Sequence, residues 1–414
     1  CEEDTIMKKR FLSAGLAVVM AASLTACGGS GSASTTTAAA GEAKAEGESK
    51  AAESSAAADG ASFKIGGIGP VTGGAAVYGL AVQHGAEIAV KEINEAGGIN
   101  GYPVEFQFQD DEHDAEKSVN AYNTLKDWGM QALMGTVTSA PCIAVADKTA
   151  ADNMFQITPS GSAVECAANP NVYRVCYSDP AQGTASAKYI GEHKLASKVA
   201  VIYDSSDVYS SGIYEKFAQE APNQGIEVVD AEAFTADSNK DFSTQLQKAK
   251  ESGAELVFLP IYYTEASLIL QQANTMGFAP QFFGCDGMDG ILQVQNFDVK
   301  LAEGLMLLTP FAADATDDLT VKFVKSFEDA YGETPIQFAA DAYDAMYVIK
   351  AAMEEANVTP DMAVGDICDA MESAMTKIKV DGLTGTNMTW TEDGEPEKDP
   401  KAVQVVDGAY KAME

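Results

Sequence analysis

From Ser62 onward, short apolar runs alternate with amphipathic helical stretches, the pattern made by parallel sheets with helices on both faces. Lys64–Gly69 reads as a strand. Residues 75–96 read as a helix with Val82, Ala86, Ala89 and Ile93 on one face, and Val104, Phe106 and Phe108 alternate as a second strand. Further strands are expected at 131–135, 154–158, 198–203, 226–230 and 255–260, each followed by helical periodicity. A chain of 414 residues exceeds the size at which one hydrophobic core keeps growing, so two lobes are expected, with at least two sheets. The fold class is α/β.

The N-terminal segment has a different grammar. Met7 is followed by Lys8-Lys9-Arg10, the apolar run Phe11 to Leu24, and Leu24-Thr25-Ala26-Cys27. A charged start, an apolar core too short for a bilayer and a small-residue cleavage point together form an export signal. Cys1–Ile6 are read as upstream sequence without fold information. The tetrapeptide ending at Cys27 resembles the bacterial lipobox, which implies lipidation of Cys27 and removal of residues 1–26. Two or more acyl chains anchor stably where one does not. From Gly28 to Gly60 the chain is almost wholly Gly, Ser, Ala, Thr, Glu and Lys. Such a composition cannot repay its ordering entropy, and residues 27–61 are expected to be a lipid-anchored flexible linker. The formal net charge is -34, which repels phosphate backbones, so nucleic acid is not an expected partner.

Enzyme motifs were sought because large α/β chains often catalyse. Gly66-Gly67-Ile68-Gly69-Pro70 reads as a glycine-rich turn after a strand, but the third glycine of a dinucleotide fingerprint is missing. No P-loop, H-E-x-x-H or G-x-S-x-G occurs. His84, His113 and His193 are widely separated and no C-x-x-C occurs, so neither a metal nor another cofactor is expected. Cys166 and Cys176 are close enough in sequence to close a small loop in an oxidising exterior, with buried free thiols as the alternative. Two polar turns stand out: Thr136-Val137-Thr138-Ser139-Ala140 and Ser160-Gly161-Ser162, each after an apolar strand. Open α/β sheets bind ligands at that end. A serine at a helix start offers its hydroxyl beside free backbone N–H groups, as a ligand carboxylate requires.

Several segments in order carry a resemblance: Ile65–Gly73, Tyr78-Gly79, Glu92–Gly101, Asp110-Asp111, Ile157–Ser160, Lys240–Ser243 and Gly382–Thr386. Across roughly residues 62–410 the chain resembles the leucine/isoleucine/valine-binding proteins, the type I periplasmic solute-binding proteins of ABC importers. The resemblance implies two Rossmann-like lobes with parallel sheets, a three-crossing hinge and a ligand buried between the lobes. Position by position it implies that Ser139 and Ser162 give hydroxyl contacts to a ligand α-carboxylate and that Ser160 adds backbone groups. Asp286 matches the acidic position that meets the α-ammonium, where the family often has glutamate. Tyr78, Tyr209, Tyr262 and Phe338 match aromatic positions lining the side-chain pocket, with Tyr263 a register rival of Tyr262. The family's disulfide near the first lobe has no counterpart, since His113 stands where a cysteine is expected.

The expected lobes are 62–177 with 311–390, and 178–310 with 391–414. The expected function is a substrate-binding lipoprotein outside the cytoplasm that delivers an aliphatic or branched α-amino acid to a permease and ATPase complex. It performs no chemistry on the ligand, works as a monomer and meets the membrane through its anchor alone. Two alternatives stay open, a ligand sensor coupled to a receptor, and a non-amino-acid solute such as an amide or aromatic acid.

Overall fold

The computed structural model describes residues 60–398 and 400–413. The expected export signal, Cys27 and the linker up to residue 59 lie outside the described residues. A first run of elements comprises β1 (Phe63–Gly69), α1 (Ala76–Glu95), β2 (Val104–Asp110), α2 (Ala115–Trp128), β3 (Ala132–Gly135), α3 (Ser139–Asp152), β4 (Phe155–Thr158) and β5 (Val172–Arg174). A second comprises α4 (Asp179–Glu192), β6 (Lys198–Asp204), α5 (Val208–Glu220), β7 (Glu227–Phe234), α6 (Ser243–Glu251), β8 (Leu256–Leu259), α7 (Tyr263–Thr275), β9 (Gln281–Gly284) and β10 (Met306–Thr309). The chain then adds α8 (Asp318–Tyr331), α9 (Gln337–Glu355), α10 (Val364–Met375), β11 (Thr389–Trp390), β12 (Pro396–Glu397), β13 (Lys401–Val406) and β14 (Ala409–Ala412).

The first run forms a five-stranded parallel sheet in the order β2-β1-β3-β4-β5. Strands β3 and β4 are buried along their whole length, as covering on both faces demands. The second sheet has seven strands in the order β14-β13-β10-β9-β8-β6-β7. Its strands β10, β9, β8, β6 and β7 are parallel, while β13 and β14 add an antiparallel hairpin at one edge. That hairpin departs from the parallel expectation for a local reason. No helix lies between β13 and β14, and parallel pairing needs a covering crossover.

Helix ends follow side-chain chemistry. Asp114 accepts from the N–H groups of Glu116 and Lys117 at the start of α2, and Gly129 closes that helix at φ 92°. Helices α1 and α9 meet where Gly85 lies against the Ala339 carbonyl, a contact that leaves no room for a Cβ. The chain passes from the first sheet to the second after Arg174, leaves the second sheet after Thr309 for helices α9 and α10, which pack on α1 and β4, and returns to it before Lys401. The first and third passes are tied together, because the Arg174 N–H donates to the Gly394 carbonyl at 3.0 Å and Trp390 Nε1 donates to the Arg174 carbonyl at 2.8 Å.

One local expectation needs correction, and one open alternative is decided. Gly66, Gly67 and Gly69 lie inside β1 and do not form a turn after it. The side chains of Met130, Phe108 and Val137 occupy the space above them. Cys142, Cys166, Cys176, Cys285 and Cys368 are all free and buried, so Cys166 and Cys176 are not bridged. Cys166 instead packs with Cys142 and Ala163 in a small apolar cluster.

Candidate functional site

The ends of β3 and β4 place both serine turns on one side of a cleft. Ser139 is the first residue of α3, and Ser162 precedes a short 3-10 turn at Val164–Ala167. Ser139 Oγ accepts from the N–H groups of Ser162 and Ala163, each at 3.2 Å. With both lone pairs of its oxygen taken by donors, the Ser139 hydroxyl is left to act on a ligand as a donor. Ser160 Oγ donates to the Val137 carbonyl at 2.6 Å, leaving Ser160 to act through its backbone. Ser162 Oγ is buried, with the Asp179 carboxylate beside it within hydrogen-bonding reach.

Beneath this cradle sits Arg174, with no exposed surface. Its Nη1 donates to the carbonyls of Gly161 and Ser162 at 3.3 and 2.6 Å, and Nη2 to those of Ala163 and Val164 at 3.0 and 3.4 Å. Its Nε faces Glu395 Oε1 at 3.2 Å. The two peptide units whose oxygens Nη1 holds are the same units whose N–H groups reach Ser139.

Asp286 faces the cradle from the turn after β9. Tyr209 Oη donates to its Oδ1 at 2.7 Å, and Gln182 Nε2 donates to its Oδ2 at 3.0 Å. Burial pushes this carboxyl up to about 6, against the lowering effect of the Tyr209, Gly287 and Gln182 hydrogen bonds. Asp207 is likewise pushed up to about 6 by burial, with Asp204 adding to the rise. Burial also raises Asp179. The cleft therefore carries carboxylates that would be relieved by a cation.

Rings close the remaining sides. Tyr78 stacks on Phe338 at 4.2 Å between centroids, Tyr209 stacks on Tyr262 at 4.9 Å, and Tyr78 meets Tyr262 edge-on at 5.7 Å. Tyr78 also links the two sides directly. Its hydroxyl donates to the Gly287 carbonyl and accepts from the Tyr263 N–H at 3.2 Å. Between these walls is a cavity of about 10 Å³, the room of a single water, lined by Tyr78, Ser139, Ser160, Ser162, Tyr209, Tyr262, Asp286 and Phe338, with Thr138 and Gly287 among its other neighbours. All eight candidate residues thus line one cavity. Tyr262 takes the lining position, while the Tyr263 hydroxyl accepts from the Val77 N–H at 3.3 Å.

The profile of the family described as periplasmic binding protein matches residues 62–409. The chain belongs to that family. A Leu/Ile/Val-binding protein homolog of Brucella melitensis is 32% identical over 305 residues, covering 73% of this chain and 82% of that protein. A leucine-, isoleucine-, valine-, threonine- and alanine-binding protein of Pseudomonas aeruginosa is 30% identical, over 71% of this chain and 79% of its own length. Among solved structures, the branched-chain amino acid transporter substrate-binding protein LivJ of Streptococcus pneumoniae, in complex with isoleucine, superimposes with a TM-score of 0.76. It is 26% identical and covers 85% of this chain and 99% of its own.

In this periplasmic binding protein, sequence reasoning passed over several residues of the cleft. Asp179 and Gln182 sit on α4, and Asp207 precedes α5, all in polar stretches that read as solvated surface. Asp179 and Gln182 have a signal that could have been weighed, polar side chains three apart on the buried face of their helix. His113, noted only as a missing cysteine, bonds Thr138 Oγ1 through Nδ1 at 2.9 Å and meets Tyr262 edge-on at 5.7 Å. Among the described residues no group of three or more His, Cys, Asp or Glu side chains is placed to hold a metal, and no helix is long and apolar enough to cross a membrane.

Proposed function

We propose that this chain is the substrate-binding lipoprotein of an ABC importer, held outside the cytoplasm through Cys27, and that it captures an aliphatic α-amino acid, branched-chain members first. The observation that carries the reading is the opposition of two unlike ends across one aromatic-walled cleft. Ser139 offers an aligned hydroxyl proton, supported by two peptide N–H groups. Asp286 offers a buried carboxylate steadied by Tyr209 and Gln182. A zwitterion satisfies both ends, because a desolvated carboxylate needs donors and a desolvated ammonium needs an anion. The rings of Tyr78, Tyr262 and Phe338 suit an apolar side chain. The relatives named for leucine, isoleucine and valine support the same ligand class.

In this reading residues 62–177 with 311–390 form one lobe and 178–310 with 391–414 the other. With only about 10 Å³ between the walls, an amino acid enters when the lobes part about their three connections and is enclosed when they return. The permease and ATPase complex receives the ligand from a monomeric binding protein tethered beside it.

Titration calorimetry with the free amino acids, benzoate and a small amide tests the ligand class. Saturable binding of isoleucine, leucine or valine, with benzoate and the amide silent, is the expected result. Binding of benzoate or the amide with no amino acid bound would overturn it. Anchoring is tested separately, since Cys27→Ser should move the protein from the membrane fraction to the soluble fraction of cells producing it.

A further inference from the structure

The three connections of the chain converge on a cavity of about 150 Å³. Tyr177 lines it from the first connection, Pro310 from the second and Lys398 from the third. Asp286 also lines it and is the one residue it shares with the cleft cavity. Helix α9 contributes Gln337 and Asp341, one helical turn apart and buried at 1% and 0% exposure. Neither side chain is satisfied. Gln337 Oε1 and both Asp341 carboxylate oxygens close no hydrogen bond among the described residues. Lys398 Nζ stands 3.8 Å from Asp341 Oδ1, beyond hydrogen-bond reach, and instead donates to Thr384 Oγ1 at 2.9 Å with the Tyr177 ring 5.2 Å away. Burial pushes the Asp341 carboxyl well up; Lys398 opposes that rise, while Asp344, Asp286 and Asp289 add to it.

We infer that this cavity is a binding site for a small monovalent cation, Na+ or an ion of like size, held by Asp341 and Gln337 together with water. Three buried acceptor oxygens without donors are costly, and a cation relieves all three at once. The lining sets the charge of the occupant. Asp286 and Asp341 against Lys398 leave one negative charge, which a single positive charge balances and a divalent metal would exceed. Asp344 lies close by but does not compete, because the N–H groups of Leu383 and Thr384 and the Thr384 hydroxyl already hold it. The volume sets the size. It falls below the roughly 300 Å³ at which organic-ligand sites begin, yet has room for an ion with several waters.

Sodium NMR on the full chain tests the site, with NaCl replacing choline chloride at fixed total chloride. We expect excess line broadening that saturates, with affinity reduced at least about tenfold in both Asp341→Asn and Gln337→Leu. Ser139→Ala, whose side chain does not line this cavity, should leave the affinity unchanged within about twofold. The leucine variant keeps the Gln337 backbone N–H on Asp289, and asparagine keeps the shape of Asp341, so if one variant fails to melt cooperatively the other decides. Broadening that rises without saturating, or is equal in the parent chain and both variants, is that of ions drawn diffusely to a net charge of -34 and overturns the inference. Absence of broadening overturns it too, leaving the cavity to water. Loss in Ser139→Ala with retention in Asp341→Asn would overturn it by placing the ion in the cleft. Failure of the amino-acid reading is distinguishable, since no amino acid is present in this titration.

Discussion

Ser139 shows how much of a site is decided by what a side chain has already bonded. Its oxygen takes two peptide N–H groups, so truncation removes the outward proton and also leaves both N–H groups without their acceptor. Ser139→Ala is expected to weaken isoleucine binding by about 1–3 kcal/mol, and Ser162→Ala by a comparable amount, read as calorimetric Kd. Asp286 predicts a pH dependence with opposite signs for binding and folding. Its carboxyl sits at about 6 against an ordinary 3.8, so lowering the pH through about 6 protonates the group that must face the ammonium, and affinity should fall. Stability runs the other way. A raised folded-state value contributes stability fully present below about 4 and lost as pH rises through about 6. The ligand-free protein should therefore melt higher at pH 5 than at pH 7.5 on this account, and Asp286→Asn should flatten part of both profiles. The two serine turns after apolar strands were legible in the sequence, because turn chemistry is local, whereas Asp286 was singled out through the family resemblance alone. Asp207 was not legible, because its burial comes from elements far away in the chain.

Elements with a strong apolar signature appear within a residue or two of where the sequence put them. The helix expected over 75–96 runs Ala76–Glu95, and the run at 154–158 is β4 at Phe155–Thr158. The reading over 226–230 fell short of β7, Glu227–Phe234. That edge strand is half exposed along most of its length and carries Asp230 and Glu232, so hydrophobicity fades before the ladder does. Strands β9, β10, β13 and β14 were not singled out, because short strands in mixed surroundings leave little periodicity to read. The packing of α1 on α9 makes a sharper forecast than any propensity. A methyl at Gly85 meets the Ala339 carbonyl of the neighbouring helix, and backbone cannot rotate aside as a side chain can. Gly85→Ala is expected to destabilise by about 1–3 kcal/mol in chemical denaturation despite the better helix propensity of alanine.

At the level of the molecule, Tyr78 joins an element of the first sheet's helical layer to the turn after β9 through Gly287 and to the start of α7 through Tyr263. Tyr78→Phe keeps the ring stacked on Phe338 but removes the clasp. Isoleucine should dissociate about tenfold faster in stopped-flow displacement, because the buried Gly287 carbonyl is left without its donor. The two-sheet division was legible as alternation plus length, whereas the hydrogen bonds tying the Arg174 strand to the Trp390–Gly394 return were not, since they join residues at least 216 apart in sequence. Arg174 itself carries a consequence for transport. The guanidinium stands one peptide layer behind Ser139 and polarises that layer instead of touching whatever rests upon it. A cargo anion held by oriented dipoles feels attraction that falls away steeply with distance, while a full ion pair would pull across a widening gap. On the proposed function, the same arrangement that grips an amino acid in the shut cleft lets it go once the walls separate, which would suit a carrier that hands over its load.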